Sequence, residues 1–150
     1  MSLYEVGNAS VAPLTGAPYC TFHAATTRDA RLREFGAFCN AATVSSFSIA
    51  RPANTPVATT SVLGNPVNPD TQVAALVNTD TAWSTVPTAP TVKYRTITLP
   101  ATTGAGYVAV WNPGEEIVMS KTAGTTQWIV IWNFGAGTAS VLNYYAKWDE

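Results

Sequence analysis

The chain has 150 residues, enough for one domain with a substantial core and too few for two. Only 11% of the residues are charged, against roughly 25% in an ordinary soluble protein, and the net charge of −1 gives no global field to attract nucleic acid or an acidic membrane. A surface so poor in charge is weakly protected against association and is expected to be covered in an oligomer or assembly.

Residues 1–18, MSLYEVGNASVAPLTGAP, show no periodicity and contain Gly7, Pro13, Gly16 and Pro18, so they read as an extended N-terminal arm able to lie on a neighbour. They have neither the basic start nor the apolar run of a signal peptide, and no stretch approaches the ~20 apolar residues of a membrane span. From there, period-two alternation predicts strands at 19–25, 32–39, 44–51, 92–99, 107–111, 116–120, 127–133 and 139–148. NAAT, PATTGAG, NPG, KTAGT and FGAGT supply the turns. Residues 26–38 also match a helix through Thr27, Leu32, Phe35 and Phe38, but Gly36 and the strand-rich surroundings favour a strand. Residues 52–91 hold six prolines and read as a long connection lying along a surface.

These elements predict an all-β fold, an antiparallel jelly-roll-like β-sandwich formed by a single domain over 19–150. In QWIVIWNF, Trp128, Val130 and Trp132 share one face of a strand, and Ile129 and Ile131 share the other. Trp128 and Trp132 are expected in the intersheet core with Phe35 and Phe38, leaving Ile129 and Ile131 for a neighbour.

Little in the sequence points to catalysis. Cys20, His23 and Cys39 suggest a zinc set, but positions 20 and 23 face opposite sides of a strand and no fourth ligand is evident. Both thiols are expected free and buried, as in a reducing cytoplasm. Glu115 and Glu116 diverge on a strand, whereas the carboxylates of a glycosidase face each other across substrate. Arg28, Arg31 and Arg33 are interleaved with Asp29 and Glu34, which favours a subunit contact over a nucleic-acid surface. With one histidine and no phosphate loop or nucleophile elbow, no enzyme, metal or cofactor is expected. Trp83, Trp111, Trp128, Trp132, Tyr144, Tyr145 and Trp148 suit either core and subunit packing or stacking on sugar rings.

The runs RLREFGAFCNAATVSSFSIARP and GYVAVWNPGEEIVMSKTAGTTQWIVIWNFGAGTASVLNYYAKWDE carry a further pattern. A strand with Leu32, Arg33, Phe35, Gly36 and Phe38 is followed by a turn at Pro113–Glu116, a strand with Trp132, and a terminal strand ending Trp148–Glu150. Over roughly half the chain this resembles small virion proteins of tailed bacteriophages, in particular capsid cement or decoration proteins. The resemblance implies a non-enzymatic role on the outer capsid surface after assembly in the host cytoplasm. It implies the major capsid protein as partner, self-association as a homotrimer, and no membrane or nucleic-acid partner. The expected subunit or capsid interface comprises Tyr4, Val6, Val11, Leu14, Arg31, Arg33, Ile129 and Ile131. The alternative is a tail or fibre component using a carbohydrate- or receptor-binding sandwich.

Overall fold

A computed structural model describes residues 2–67 and 73–150. Its strands are β1 (Leu3–Ala9), β2 (Pro18–Ala24), β3 (Ala30–Cys39), β4 (Ser45–Arg51), β5 (Val57–Leu63), β6 (Asn65–Pro66), β7 (Val77–Thr85), β8 (Val92–Leu99), β9 (Gly106–Val110), β10 (Ile117–Met119), β11 (Trp128–Asn133) and β12 (Leu142–Asp149). One 3₁₀ turn, Thr125–Gln127, precedes β11. Two antiparallel sheets face each other. Sheet A runs β10-β3-β12-β1-β6 with β9 also paired to β3, and sheet B runs β5-β7-β2-β11-β4-β8.

The pairings reveal how the chain is rolled. β1 lies against β12, β2 against β11, β3 against β9 and β10, and β4 against β8. That is one long antiparallel ribbon wound into a barrel, closed by the β12–β3 and β11–β4 pairs. It is the jelly-roll arrangement.

Alternation explains the strands. In β12, Leu142, Tyr144, Ala146 and Trp148 point inward, separated by Asn143, Tyr145 and Lys147. The core joins Phe22, Phe35, Phe47 and Tyr144 largely edge to face, with Phe22–Phe35 and Phe22–Tyr144 centroids 6.0 and 5.7 Å apart. At one side Tyr4 stacks on Trp148 at 6.3 Å.

Four expectations are corrected. The expected arm contains β1, which is hydrogen-bonded between β12 and β6 and buries Tyr4 and Val6 in the core, so neither residue is available to a partner. The expected 52–91 connection contains β5 and β7, a hairpin added to the β2 edge of sheet B, and between them β6, which pairs with β1 at the edge of sheet A; its residues 68–72 lie outside the described residues. The faces of β11 are reversed, with Ile129 and Ile131 in the main core and Trp132 and Val130 in a separate cluster with Ala50 and Phe134. Phe38 lies on the outer face of sheet A, because it differs from the core residue Phe35 by an odd number of strand positions.

Trp128 and Trp132 thus face away from the core, yet they are only 5% and 6% exposed. Trp128 is covered in part by His23, stacked on it at 4.2 Å, and Trp132 packs with Ala50, Val130 and Phe134. Three register shifts bend the hairpin, and the Trp83 indole Nε1 donates to Thr21 Oγ1 on β2 at 2.9 Å, placing Trp83 over that outer face. The links 52–56 and 86–91 lead from β4 to the hairpin and back to β8, past β2 and β11. Asn54 clasps them together, donating to Val86 O at 3.0 Å and accepting from Thr88 N at 2.8 Å, and Pro52, Pro56 and Pro87 are buried. Lys93 sits over the Phe134 ring at 5.7 Å.

Candidate docking surfaces

No Asp, Glu, Lys or Arg occurs in 6–27, 35–50, 96–114 or 122–146. Rolling the ribbon brings the loops of all four stretches, 10–17, 40–44, 100–105 and 134–141, to one end of the barrel. Asn133 organises this end, its Nδ2 donating to Leu14 O at 3.0 Å and Gly137 O at 3.2 Å. Asn40 N donates to Val141 O at 3.0 Å, Ala41 N to Ser140 Oγ at 3.1 Å, and Gly104 N to Cys39 O at 2.8 Å. The loops are thereby fixed to one another, and Val11, Leu14 and Val44 stand out from them, Leu14 with 68% exposure and Val44 with 56%. The charges collect towards the opposite end. There Arg33 pairs with both Glu116 and Asp149, and Asp29, Arg31, Asp149 and Glu150 line a depression of about 310 Å³. Hydrogen bonds from its own and the Gly114 backbone N–H, with the Arg33 charge, hold the Glu116 carboxyl below its ordinary range.

The outer face of sheet A is the second surface. Its register sets out rows across β1, β12, β3 and the β9/β10 edge. Nearest the uncharged pole the row is Ala9, Asn143, Phe38 and Gly106; the next is Gly7, Tyr145, Gly36 and Val108. The third is Glu5, Lys147, Glu34 and Val110, and the last is Leu3, Asp149, Arg31 and Val118. Tyr145 lies flat over Gly36, where a Cβ would sit 2.1 Å from its ring, and Phe38 lies over Gly106 in the same way. The two rings are nearly parallel, 19° apart with centroids separated by 6.5 Å. Tyr145 Oη donates to Glu34 Oε1 at 2.6 Å, and this bond raises the phenol pKa to about 12. Lys147 Nζ also reaches Glu34 Oε1, at 3.4 Å. The face is therefore flush at Tyr145 and Phe38, neutral in one half and carrying charges of both signs in the other, where Lys147 pairs with Glu34.

The remaining candidates are dispersed. Cys20 points into the core from β2, where burial pushes its thiol pKa up, and Cys39 is buried on β3. His23 faces outward, stacked on Trp128 at 4.2 Å, with Nδ1 2.7 Å from the buried Asp80. Asp80 also accepts from Thr21 Oγ1 at 3.0 Å and Ser61 Oγ at 2.5 Å, joining β2, β5 and β7. Sequence reading missed this partner because 57 positions separate it from His23. Glu115 caps its own turn by accepting from Asn112 Nδ2 at 3.0 Å, so the two carboxylates diverge. Arg28 and Arg31 are exposed. Trp111 and Trp148 are buried in the core, Trp111 beneath the Arg95 guanidinium at 4.9 Å, and Tyr144 is buried there with its pKa raised by desolvation. Among the described residues no three His, Cys, Asp or Glu side chains group as a metal site. Of the expected interface, Val11, Leu14 and Arg31 are exposed, Arg33 is engaged in its ion pairs, and Tyr4, Val6, Ile129 and Ile131 are core.

No protein-family model matches this chain, and neither the curated proteins nor the solved structures offer a match that carries an inference.

Proposed function

We propose that this chain is a non-enzymatic structural protein of a phage particle, a cement or decoration protein that docks on the outer capsid lattice and bridges major capsid subunits. The observation that carries the reading is the uncharged pole, four interlocked loops presenting Val11, Leu14 and Val44 with no ionisable side chain among them. Pressing such a surface onto a protein partner desolvates no charge, and each apolar Å² removed from water contributes roughly 25 cal/mol. The loops are tied to each other by backbone bonds, so little ordering entropy opposes docking. Binding only the assembled lattice stabilises that state by mass action, and many modest contacts add up over a shell. Jelly rolls are a recurrent architecture of viral shells, and the sequence resemblance points the same way.

The test replaces Leu14 and Val44 with Asp, singly and together, and measures copies bound per purified particle. Attachment should fall while the circular dichroism of the free protein is unchanged. Full attachment of the double variant would remove the pole from the interface. A native copy number of a handful per particle, in place of hundreds, would favour the tail or fibre alternative.

A further inference from the structure

We infer that the outer face of sheet A is an isologous contact with a second copy of this chain, formed about a two-fold axis parallel to the strands and lying between β12 and β3. The charge pattern selects this axis. Rotation about it keeps each row in place and reverses the strand order, so Lys147 of one copy meets Glu34 of the other, and Asp149 meets Arg31. Each contact occurs twice. The same rotation sets the exposed Val108 against bare Gly7 and Leu3 against Val118, matching a side chain to a gap and apolar to apolar, and leaves one charge, Glu5 on β1, against Val110 with no opposite. Rotation about the in-plane axis perpendicular to the strands would instead set Lys147 against Tyr145, Arg31 against Phe38 and Glu34 against Gly36, so that no charge meets its opposite. Tyr145 and Phe38 lie flat on their glycines, so neither ring holds the two sheets apart. Two sheets can then approach to the ~10 Å of an aligned sandwich.

Strand spacing and rise put the contact at roughly 400–500 Å² of face per copy, at the small end for a specific interface, so a dissociation constant in the micromolar range is expected. The two-fold contact makes a dimer where composition and resemblance suggested a trimer. Because the axis runs along the strands, both uncharged poles point the same way, and a dimer would set two of them on one surface. The contact itself does not depend on what the poles bind.

The experiment is a charge swap in trans, read by sedimentation equilibrium of the purified chain. Native protein at ~0.5 mM, well above a micromolar dissociation constant, should have twice the 15.9 kDa chain mass. Lys147→Glu and Glu34→Lys should each weaken self-association about 100-fold by opposing like charges. An equimolar mixture of the two should restore the dimer, because each variant then meets its opposite in the other chain. Val108→Lys, which leaves the Lys147–Glu34 pair intact, should also give a folded monomer, and it decides the matter if a charge swap fails to fold. A native monomer or trimer, a mixture that stays monomeric while both variants are folded, or a dimeric Val108→Lys would each overturn the inference.

Discussion

Replacing Gly36 with Ala should test the flush surface of sheet A with a single methyl group. The added Cβ would lie 2.1 Å from Tyr145 Cε1, whereas ordinary contact begins near 3.4 Å, so the ring must lift by the difference of about 1.3 Å. Lifting disrupts the 2.6 Å bond from Tyr145 Oη to Glu34. That bond is to a charged acceptor but sits at a half-exposed site, so its loss costs about 1–1.5 kcal/mol. Ala recovers about 0.4–1 kcal/mol by restricting the unfolded chain. The net cost is therefore small, up to about 1 kcal/mol, and the protein stays folded. The decisive quantity is the coupling. In a Tyr145→Ala background the same Gly36→Ala change meets no ring and should be neutral or stabilising by about 0.5 kcal/mol. Urea titrations of the four proteins in this cycle should give a coupling of at least ~1 kcal/mol. Equal effects of Gly36→Ala in both backgrounds would show that the ring does not rest on the glycine and that the surface is not flush.

Ile131→Lys should abolish the folded circular dichroism signal, because the ammonium would enter the closed main core. Trp132→Ala should leave a folded chain destabilised by about 3 kcal/mol, since it opens only the smaller outer cluster; the opposite ranking would return the tryptophans to the core. Asp80→Ala removes the acceptor shared by Thr21, His23 and Ser61 and leaves the buried Thr21 hydroxyl without it, so it should cost about 1–3 kcal/mol, lowering the thermal midpoint by roughly 3–10 °C. An unchanged midpoint would mean that Asp80 does not tie β5 and β7 to β2. The Glu116 pKa is depressed in the folded state, so its stabilisation is present above the ordinary value of 4.5 and lost as pH falls through the folded value. Glu116→Gln should accordingly be less stable than the native chain at pH 7, with the gap closing in acid; a gap independent of pH would mean that the charge is not involved.

Eight strands were legible because most alternate apolar and polar residues between recognisable turns, as in the run from Leu142 to Asp149, and Trp128–Asn133 is a short apolar run bounded by turns. β1 was hidden because only Tyr4 and Val6 mark its inward face, and Gly7 and the later prolines resemble a linker. β5 was hidden for a different reason: Val57–Leu63 is almost entirely exposed, so its sequence bears no imprint of a core. The odd spacing of Phe35 and Phe38 already separates their faces on a regular strand, a signal available without coordinates. The charge-free stretches were equally visible, but their meaning depended on whether their loops would meet.

The sequence by itself determined the class of fold, the turns and the uneven placement of charge along the chain, because alternation and turn chemistry act between residues close in sequence. It left open which face of Trp128–Asn133 is interior, since large apolar side chains occupy both. Only the tertiary structure decided that, by closing sheet A over Ile129 and Ile131 and leaving Trp132 in a smaller outer cluster with Ala50, Val130 and Phe134 and Trp128 stacked on His23. The same closure gathered four separate neutral loops into one pole and set Lys147 beside Glu34 and Tyr145 over Gly36. These are contacts between strands and loops 65 or more residues apart, fixed by sheet register and the burial of both sides of β11, and no local pattern encodes them.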